Sequence, residues 1–210
     1  VDRAGLVGSD GETHQGVFDL SFLLEIPNLT VMSPKNRWEM ADMVRFAVDF
    51  PYPVALRYPR GEAYEGLKEF RTPILYGKSE VICRESGIAI LFIGHMSELG
   101  ESVWKAMKEA GYRCSLINAR FAKPLDTEMI ETVAKECGCI LTLEEHSIYG
   151  GLGGTVAEVA AQTEMVPLDI CGIPDEDVPN GTDQEVFKYY KMDVQGIKDR
   201  VKILISKKSK

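Results

Sequence analysis

Two α/β units in tandem are the fold this sequence predicts, the second of them a doubly wound, mostly parallel sheet. Three observations carry that expectation. Apolar runs of strand length alternate with segments of helical period. A polar, aperiodic stretch from Gly61 to Pro73 separates two such series. The 210 residues suffice for two cores of modest size.

The first series opens with a glycine-spaced loop from Gly8 to Gly16, a short apolar helix from Val17 to Leu24 and a strand from Leu29 to Met32. From Asn36 to Phe50, Met40, Met43, Val44 and Ala47 recur at helical spacing, so the segment reads as a helix capped by Asn36 with those four inward. The strand Val54 to Tyr58 stops at Pro59, which cannot donate to a ladder. A helix between two strands predicts a parallel crossover.

A boundary near Tyr76 divides the chain into residues 1–75 and 76–210. In the second part, strands are expected at Glu80 to Arg84, Ile88 to Ile93, Cys114 to Ile117, Ile140 to Leu143 and Pro167 to Cys171. The helices between them place Met96, Leu99, Val103, Ala106 and Ala110 on one face, then Met129, Ile130 and Val133. A third helix opens after Gly154 with Val156, Val159 and Ala160 inward. Helical tails follow at Gln184 to Tyr190 and Gln195 to Ile205, with a frayed, lysine-rich end.

Composition narrows the function classes. Hydrophobic residues at 45% and charged residues at 27% exclude intrinsic disorder. A net charge of -8 argues against nucleic acid and anionic membrane as partners, so an anionic ligand has to be met by particular arginines. No run approaches the roughly 18 apolar residues of a membrane span, and no signal-peptide pattern is present, so a cytoplasmic protein is expected. The five cysteines, odd in number and set in apolar runs, read as reduced core thiols; Cys137 and Cys139 leave open a redox or metal pair. Three scattered histidines make no metal site, and His95 and His146 read as cap or loop residues. The chain opens Val1-Asp2-Arg3, without methionine and already inside a motif, which predicts further polypeptide upstream.

Chemistry concentrates in Asp2-Arg3-Ala4-Gly5 and Asp10-Gly11-Glu12-Thr13-His14-Gln15-Gly16. Its glycines permit a tight loop that delivers Asp10 and His14 just ahead of a helix. A carboxylate near an imidazole can set its tautomer for proton transfer or for a hydrogen bond to a substrate oxygen. The spacing equally allows an Asx-turn aspartate beside a surface histidine. Arg57 and Arg60, three apart, point to opposite faces of a continuous strand, and Arg60 lies beyond the Pro59 break at a strand end. The glycine run Gly150 to Gly154 reads as close helix-to-strand packing rather than a dinucleotide loop, because Glu144 and Glu145 before it would repel a pyrophosphate.

The run DRAGLVGSDGETHQGVFDLSFL resembles the segment of deoxyxylulose-phosphate synthases that carries their DRAG and DGxTHxGxFD motifs. RYPRG at Arg57 to Gly61, INARFAKPLD, LEEHSIYGGLGG and IPDEDVPNGT resemble that family's later stretches, in order over essentially the whole chain. The resemblance implies part of a pyrimidine-binding-type domain followed by a transketolase C-terminal-like domain. It implies a transferase that uses thiamin diphosphate and Mg²⁺ to join decarboxylated pyruvate to D-glyceraldehyde 3-phosphate, feeding isoprenoid and thiamin precursors, as a homodimer. By motif, Arg3 and Arg60 would hold the acceptor phosphate, and Asp10 and His14 its hydroxyl and aldehyde end, with His14 the proton-transfer candidate. The diphosphate- and metal-binding motif and the activating glutamate are not in this sequence. No cofactor is therefore expected on this piece alone, and it is expected to be inactive without the missing N-terminal domain. Leu24 and Asn36 depart from the family pattern, where arginine and aspartate are common. A transketolase half, a 2-oxoacid dehydrogenase β subunit, or a purely structural dimerisation module are the rival readings.

Overall fold

The structure, a computed structural model, describes residues 1–208. Helix α1 (Asp19–Glu25), strand β1 (Thr30–Met32), helix α2 (Arg37–Asp49) and strand β2 (Val54–Leu56) form the first series. The expected crossover is there: β1 and β2 pair in parallel with α2 between them. Asn36 caps α2, its side-chain oxygen accepting the Glu39 N–H at 3.0 Å. Asparagine thus does at this position the capping work for which an aspartate also serves. One expected inward residue faces out. Val44 is 42% exposed, because α2 meets the sheet through Met43 and Phe46 instead.

The second series comprises β3 (Glu80–Cys83), β4 (Ile88–Phe92), α3 (Ser97–Glu109), β5 (Cys114–Asn118), β6 (Phe121–Lys123), α4 (Thr127–Cys137), β7 (Ile140–Ser147), α5 (Leu152–Gln162), β8 (Leu168–Ile173), α6 (Asp183–Tyr189) and α7 (Val194–Lys207). The lysine-rich end expected to fray is helical to Lys207, and Ser209 and Lys210 lie outside the described residues. Five strands make one sheet in the order β3-β5-β4-β7-β8, parallel except for β3. Alternation along β4 explains why helices cover both faces. Ile88, Ile90 and Phe92 pack with Val103 and Met107 of α3 and with Ile197, Val201 and Leu204 of α7. Ala89, Leu91 and Ile93 pack on the other side with Ile130 and Val133 of α4 and Val156 of α5. A parallel strand buried on both faces reads as a continuous apolar run, as IAILF does.

Two elements depart from the sequence expectation. Helix α5 begins at Leu152, before Gly154, since Gly153 is already helical and packed where a Cβ would meet Ile170 and Thr142 within 3 Å. The short strand β6, wedged between Arg120 and Pro124, pairs antiparallel with β1 and completes a second sheet of order β2-β1-β6. Three residues hold too little periodicity to announce it. Through β6 the second series lends a strand to the sheet of the first, and Phe121 packs with Met32 and Met43.

A buried ionic seam fastens the same junction. Lys35 and Glu39 from the start of α2 meet Glu80 of β3 and Arg120 before β6. Lys35 Nζ lies 3.0 Å from Glu39 Oε1 and 2.5 Å from Glu80 Oε2; Arg120 lies 2.8 Å from each carboxylate. Asn118 Nδ2 donates to both oxygens of Glu39 at 3.0 Å. Two cations and two anions balance, so none is left buried with an unmatched charge. Burial alone would raise the Glu80 pKa, and the Lys35 and Arg120 charges outweigh it and hold it below the ordinary value.

The cysteines are free thiols, four of them buried. Cys137 and Cys139 point at the carbonyl oxygens of Glu85 and Gly87, and burial pushes Cys139 up to about 11. Such thiols stay protonated at neutral pH, which removes the chemistry a redox pair would need.

Candidate substrate site

Backbone closure builds this site first. Gly5, at φ +91°, and Gly16 exchange N–H···O bonds of 2.8 Å in both directions, tying off the loop between them. A Cβ at Gly16 would stand 1.9 Å from the Arg3 carbonyl oxygen, so only glycine allows this approach. Inside the loop, two 3₁₀ turns, Gly8–Asp10 and Glu12–His14, present Asp10 and His14. The N-terminal segment runs beside the chain leaving β2: Ala4 N–H donates to Tyr58 O at 3.0 Å, and Tyr58 N–H to Val1 O at 3.1 Å. That pairing carries Arg3 next to Arg60.

Three of the four expected residues meet directly. Asp10 Oδ2 accepts a hydrogen bond from Arg60 Nη1 and lies 3.5 Å from Arg3 Nη1. The Arg60 hydrogen bond chiefly, with the charges of Arg60, Arg3 and His14, holds the Asp10 carboxyl below its ordinary pKa. His14 is near enough to add to that field, yet its Nδ1 lies 3.0 Å from Thr13 Oγ1 and forms no hydrogen bond with Asp10. Both arginine side chains are about half exposed, 48% and 52%. The result is an open wall with two guanidinium forks and one carboxylate, net positive, whose geometry suits a phosphate dianion.

Arg57, just past the end of β2, plays a different part. It is buried, donating from Nε to Asp19 Oδ2 at 2.7 Å and from Nη2 to the Glu145 carbonyl at 2.9 Å. Arg57 therefore pins α1 and β7 together behind the site.

The glycine run after β7 is structural, and its carboxylate does more than repel. Glu144 Oε2 and Oε1 accept the N–H groups of Leu152 and Gly153 at 2.6 and 2.8 Å, so the N-terminus of α5 is filled by the chain itself. Burial raises Glu144 to about 7, against the lowering effect of those N–H donors. A carboxyl raised in the folded state favours folding when protonated, so its contribution is lost as pH climbs from about 4.5 to about 7. The unfolding free energy of the wild type relative to Glu144→Gln should fall across that window by about 3 kcal/mol, measured by urea titration at successive pH values. A pH-independent difference would contradict the assignment.

Of the two remaining histidines, His95 sits in a turn as expected, whereas His146 is not the cap or loop residue expected. His146 lies inside β7, fully buried; its Nδ1 is 2.8 Å from Ser147 O, and Nε2 accepts the Ser21 N–H at 3.4 Å. Burial lowers its pKa. His95, in the 3₁₀ turn after β4, pairs through Nδ1 with Glu145 Oε2 at 2.9 Å. Glu145 Oε1 in turn accepts the Leu6 N–H at 2.6 Å. Sequence gave no signal for this contact, since 139 positions separate its partners. Among the described residues no cluster of three or more His, Cys, Asp or Glu is placed to hold a metal, and no helix is long and apolar enough to cross a membrane.

A tandem of a βαβ unit and a doubly wound sheet, with Arg3, Arg60 and Asp10 gathered at an exposed wall of the first, is the class of α/β protein this architecture defines. Residues 1–65 match the transketolase pyrimidine binding domain and residues 77–197 the transketolase C-terminal domain, and the chain belongs to the transketolase family. Relatives similar in sequence bear the name 1-deoxy-D-xylulose-5-phosphate synthase. One from Lachnoclostridium phytofermentans is 40% identical over 96% of this chain, and one from Histophilus somni is 39% identical over 99%. The chain spans 32% and 33% of their lengths, about a third of each. Among solved structures, a split-gene transketolase described as an inactive beta4 tetramer superposes with a TM-score of 0.90 at 24% identity, over 99% of this chain and 66% of that one. A transketolase mutant from Pichia stipitis gives a TM-score of 0.74 at 18% identity, over 98% and 29%. At those identities the structures attest the fold alone.

Proposed function

We propose that this chain forms the acceptor side of a 1-deoxy-D-xylulose-5-phosphate synthase, an enzyme that releases CO₂ from pyruvate and joins the remaining two carbons to D-glyceraldehyde 3-phosphate. The product would serve isoprenoid and thiamin precursor synthesis. The observation that carries the reading is the convergence of Arg3 and Arg60 on Asp10 at an exposed wall. The names of the relatives support the reaction.

In this reading Arg3 and Arg60 bind the acceptor phosphate, exchanging Asp10 for the ligand's stronger charge. Asp10, released, accepts the hydroxyl of the acceptor. His14 stands at the aldehyde end, where an imidazole can deliver a proton to the oxygen that becomes an alcohol. Thiamin diphosphate, with Mg²⁺, supplies the carbanion equivalent when bound to the complete enzyme. In this reading the work of this chain's own residues is binding, orientation and proton delivery. Residues 1–75 and 76–210 act as the closing part of the middle domain and the C-terminal domain, in a homodimer of the cytoplasm.

A product assay on the complete enzyme tests this function. The proposal expects deoxyxylulose phosphate from pyruvate and glyceraldehyde 3-phosphate, and no turnover by residues 1–210 alone. Ketol transfer from a sugar phosphate would point to a transketolase instead, and turnover by the isolated 210 residues would contradict the division of labour.

A further inference from the structure

The carboxylate of Glu145 is the meeting point of the substrate loop and the second sheet. It is 2% exposed and stands on β7, remote in sequence from the loop it touches. One oxygen takes the Leu6 N–H at 2.6 Å and the other faces His95 Nδ1 at 2.9 Å. Gly5 lies directly against it; a Cβ there would come within 2.4 Å of the Glu145 carboxyl carbon. Leu6 follows Arg3 by three residues, and the Gly5–Gly16 bridge transmits the position of this strand to Asp10 and His14. His95 is one-third exposed and sits where two cavities meet, one of about 140 Å³ beside Tyr58 and Gly61 of the Arg60 segment, the other of about 540 Å³ toward α6 and α7.

We propose that Glu145 and His95 are positioning residues for the loop carrying Arg3 and Asp10, so that the protonation of His95 reaches the phosphate-binding wall through the Leu6 amide. The consequence for phosphate rests on the reading of that wall as the acceptor site. The physical basis is a carboxylate shared by two donors. When His95 is protonated, Glu145 is held in an ion pair as well as a hydrogen bond, and its other oxygen is fixed under Leu6. When His95 is neutral, that carboxylate loses its counter-charge in a buried place and its hold on the loop changes. The hydrogen bond to Glu145 is the main cause that raises the His95 pKa, against burial and with help from Glu98 and Asp183. The other charged or titratable side chains that line the same cavities are Lys35, Tyr58, Glu62 and Tyr64 around the smaller and Asp193 around the larger.

The test uses the 210-residue chain with ¹⁵N-labelled amides and inorganic phosphate as the probe. In the wild type, the Leu6 amide should resist hydrogen exchange, and its resonance should move with pH in step with the His95 ring. Glu145→Ala should speed exchange at Leu6 about tenfold while β4 amides stay unchanged, and should weaken phosphate binding about tenfold. His95→Phe should leave Leu6 protected and abolish its pH response, and Glu145→Gln, which keeps the shape without the charge, should do the same. Should Glu145→Ala not fold, His95→Phe decides the matter, since that side chain is partly exposed. A Leu6 resonance that titrates identically without His95, or exchange at Leu6 unaffected by Glu145→Ala, overturns the proposal. If the amide responses occur but wild-type chain binds no phosphate, the coupling stands and the phosphate reading falls.

Discussion

Arg120→Ala is expected to unfold more readily than the wild type by about 3–5 kcal/mol, with a melting temperature lower by roughly 10 °C. The size follows from what the substitution strands. Arg120 donates to Glu39 and Glu80 at 2.8 Å and to the carbonyl oxygens of Thr72 and Pro73 at 2.8 and 3.1 Å, with its side chain 2% exposed. Its removal leaves two buried carboxylates with one ammonium, and opens a cavity as long as the lost side chain. Arg120→Lys keeps the charge and loses the fork, so it should fall between the two. The effect should extend beyond stability, because the seam sets α2 and β1 against the second sheet and β2 leads directly into Arg60. Chemical denaturation measures the difference; a loss under about 1 kcal/mol would mean that the seam relaxes around the gap or admits water.

Arg60→Ala in the complete enzyme should raise the KM for glyceraldehyde 3-phosphate about 10- to 100-fold and change that for pyruvate by less than about twofold. A charge-assisted hydrogen bond to a dianion is worth about 1.5–3 kcal/mol, which converts to that range. Arg60 is suited to the role because Asp10, its only charged partner among the described residues, is one that an incoming phosphate can displace, and because half of its side chain already faces solvent. Arg57→Ala supplies the contrast. With a buried guanidinium on Asp19, it should damage folding and both substrates alike. Steady-state kinetics with each substrate varied in turn separate the two outcomes, and equal effects of Arg60→Ala on both would remove its phosphate role.

Much of this architecture could be read along the chain because it is local. The IAILF and ILTL runs, the helical spacing of Ile130 and Val133, and the cap at Asn36 each lie within a few residues of the feature they create. The motif resemblance pointed to Arg3, Asp10, His14 and Arg60, and the loop closure by Gly5 and Gly16 together with the backbone pairing of Val1 and Ala4 with Tyr58 explains how Arg3, Asp10 and Arg60 meet. What could not be read is whatever depends on distant partners. Lys35 and Arg120 look like surface charges in sequence, yet both are buried, because Glu39, Glu80 and Asn118 gather around them only when the two series pack. The pairing of His95 with Glu145, 50 positions apart, is illegible for the same reason. Val44 was misplaced by a period that fits two neighbouring helix faces nearly equally, and the choice between them is made by Phe121 arriving on β6.

The most direct trial of the central claim is a crystal structure of the chain soaked with D-glyceraldehyde 3-phosphate. The account predicts the phosphate between the guanidinium groups of Arg3 and Arg60, within hydrogen-bonding distance of both, with Asp10 turned from Arg60 toward the ligand's hydroxyl. A phosphate bound elsewhere on the surface, with Arg60 still on Asp10, would contradict it.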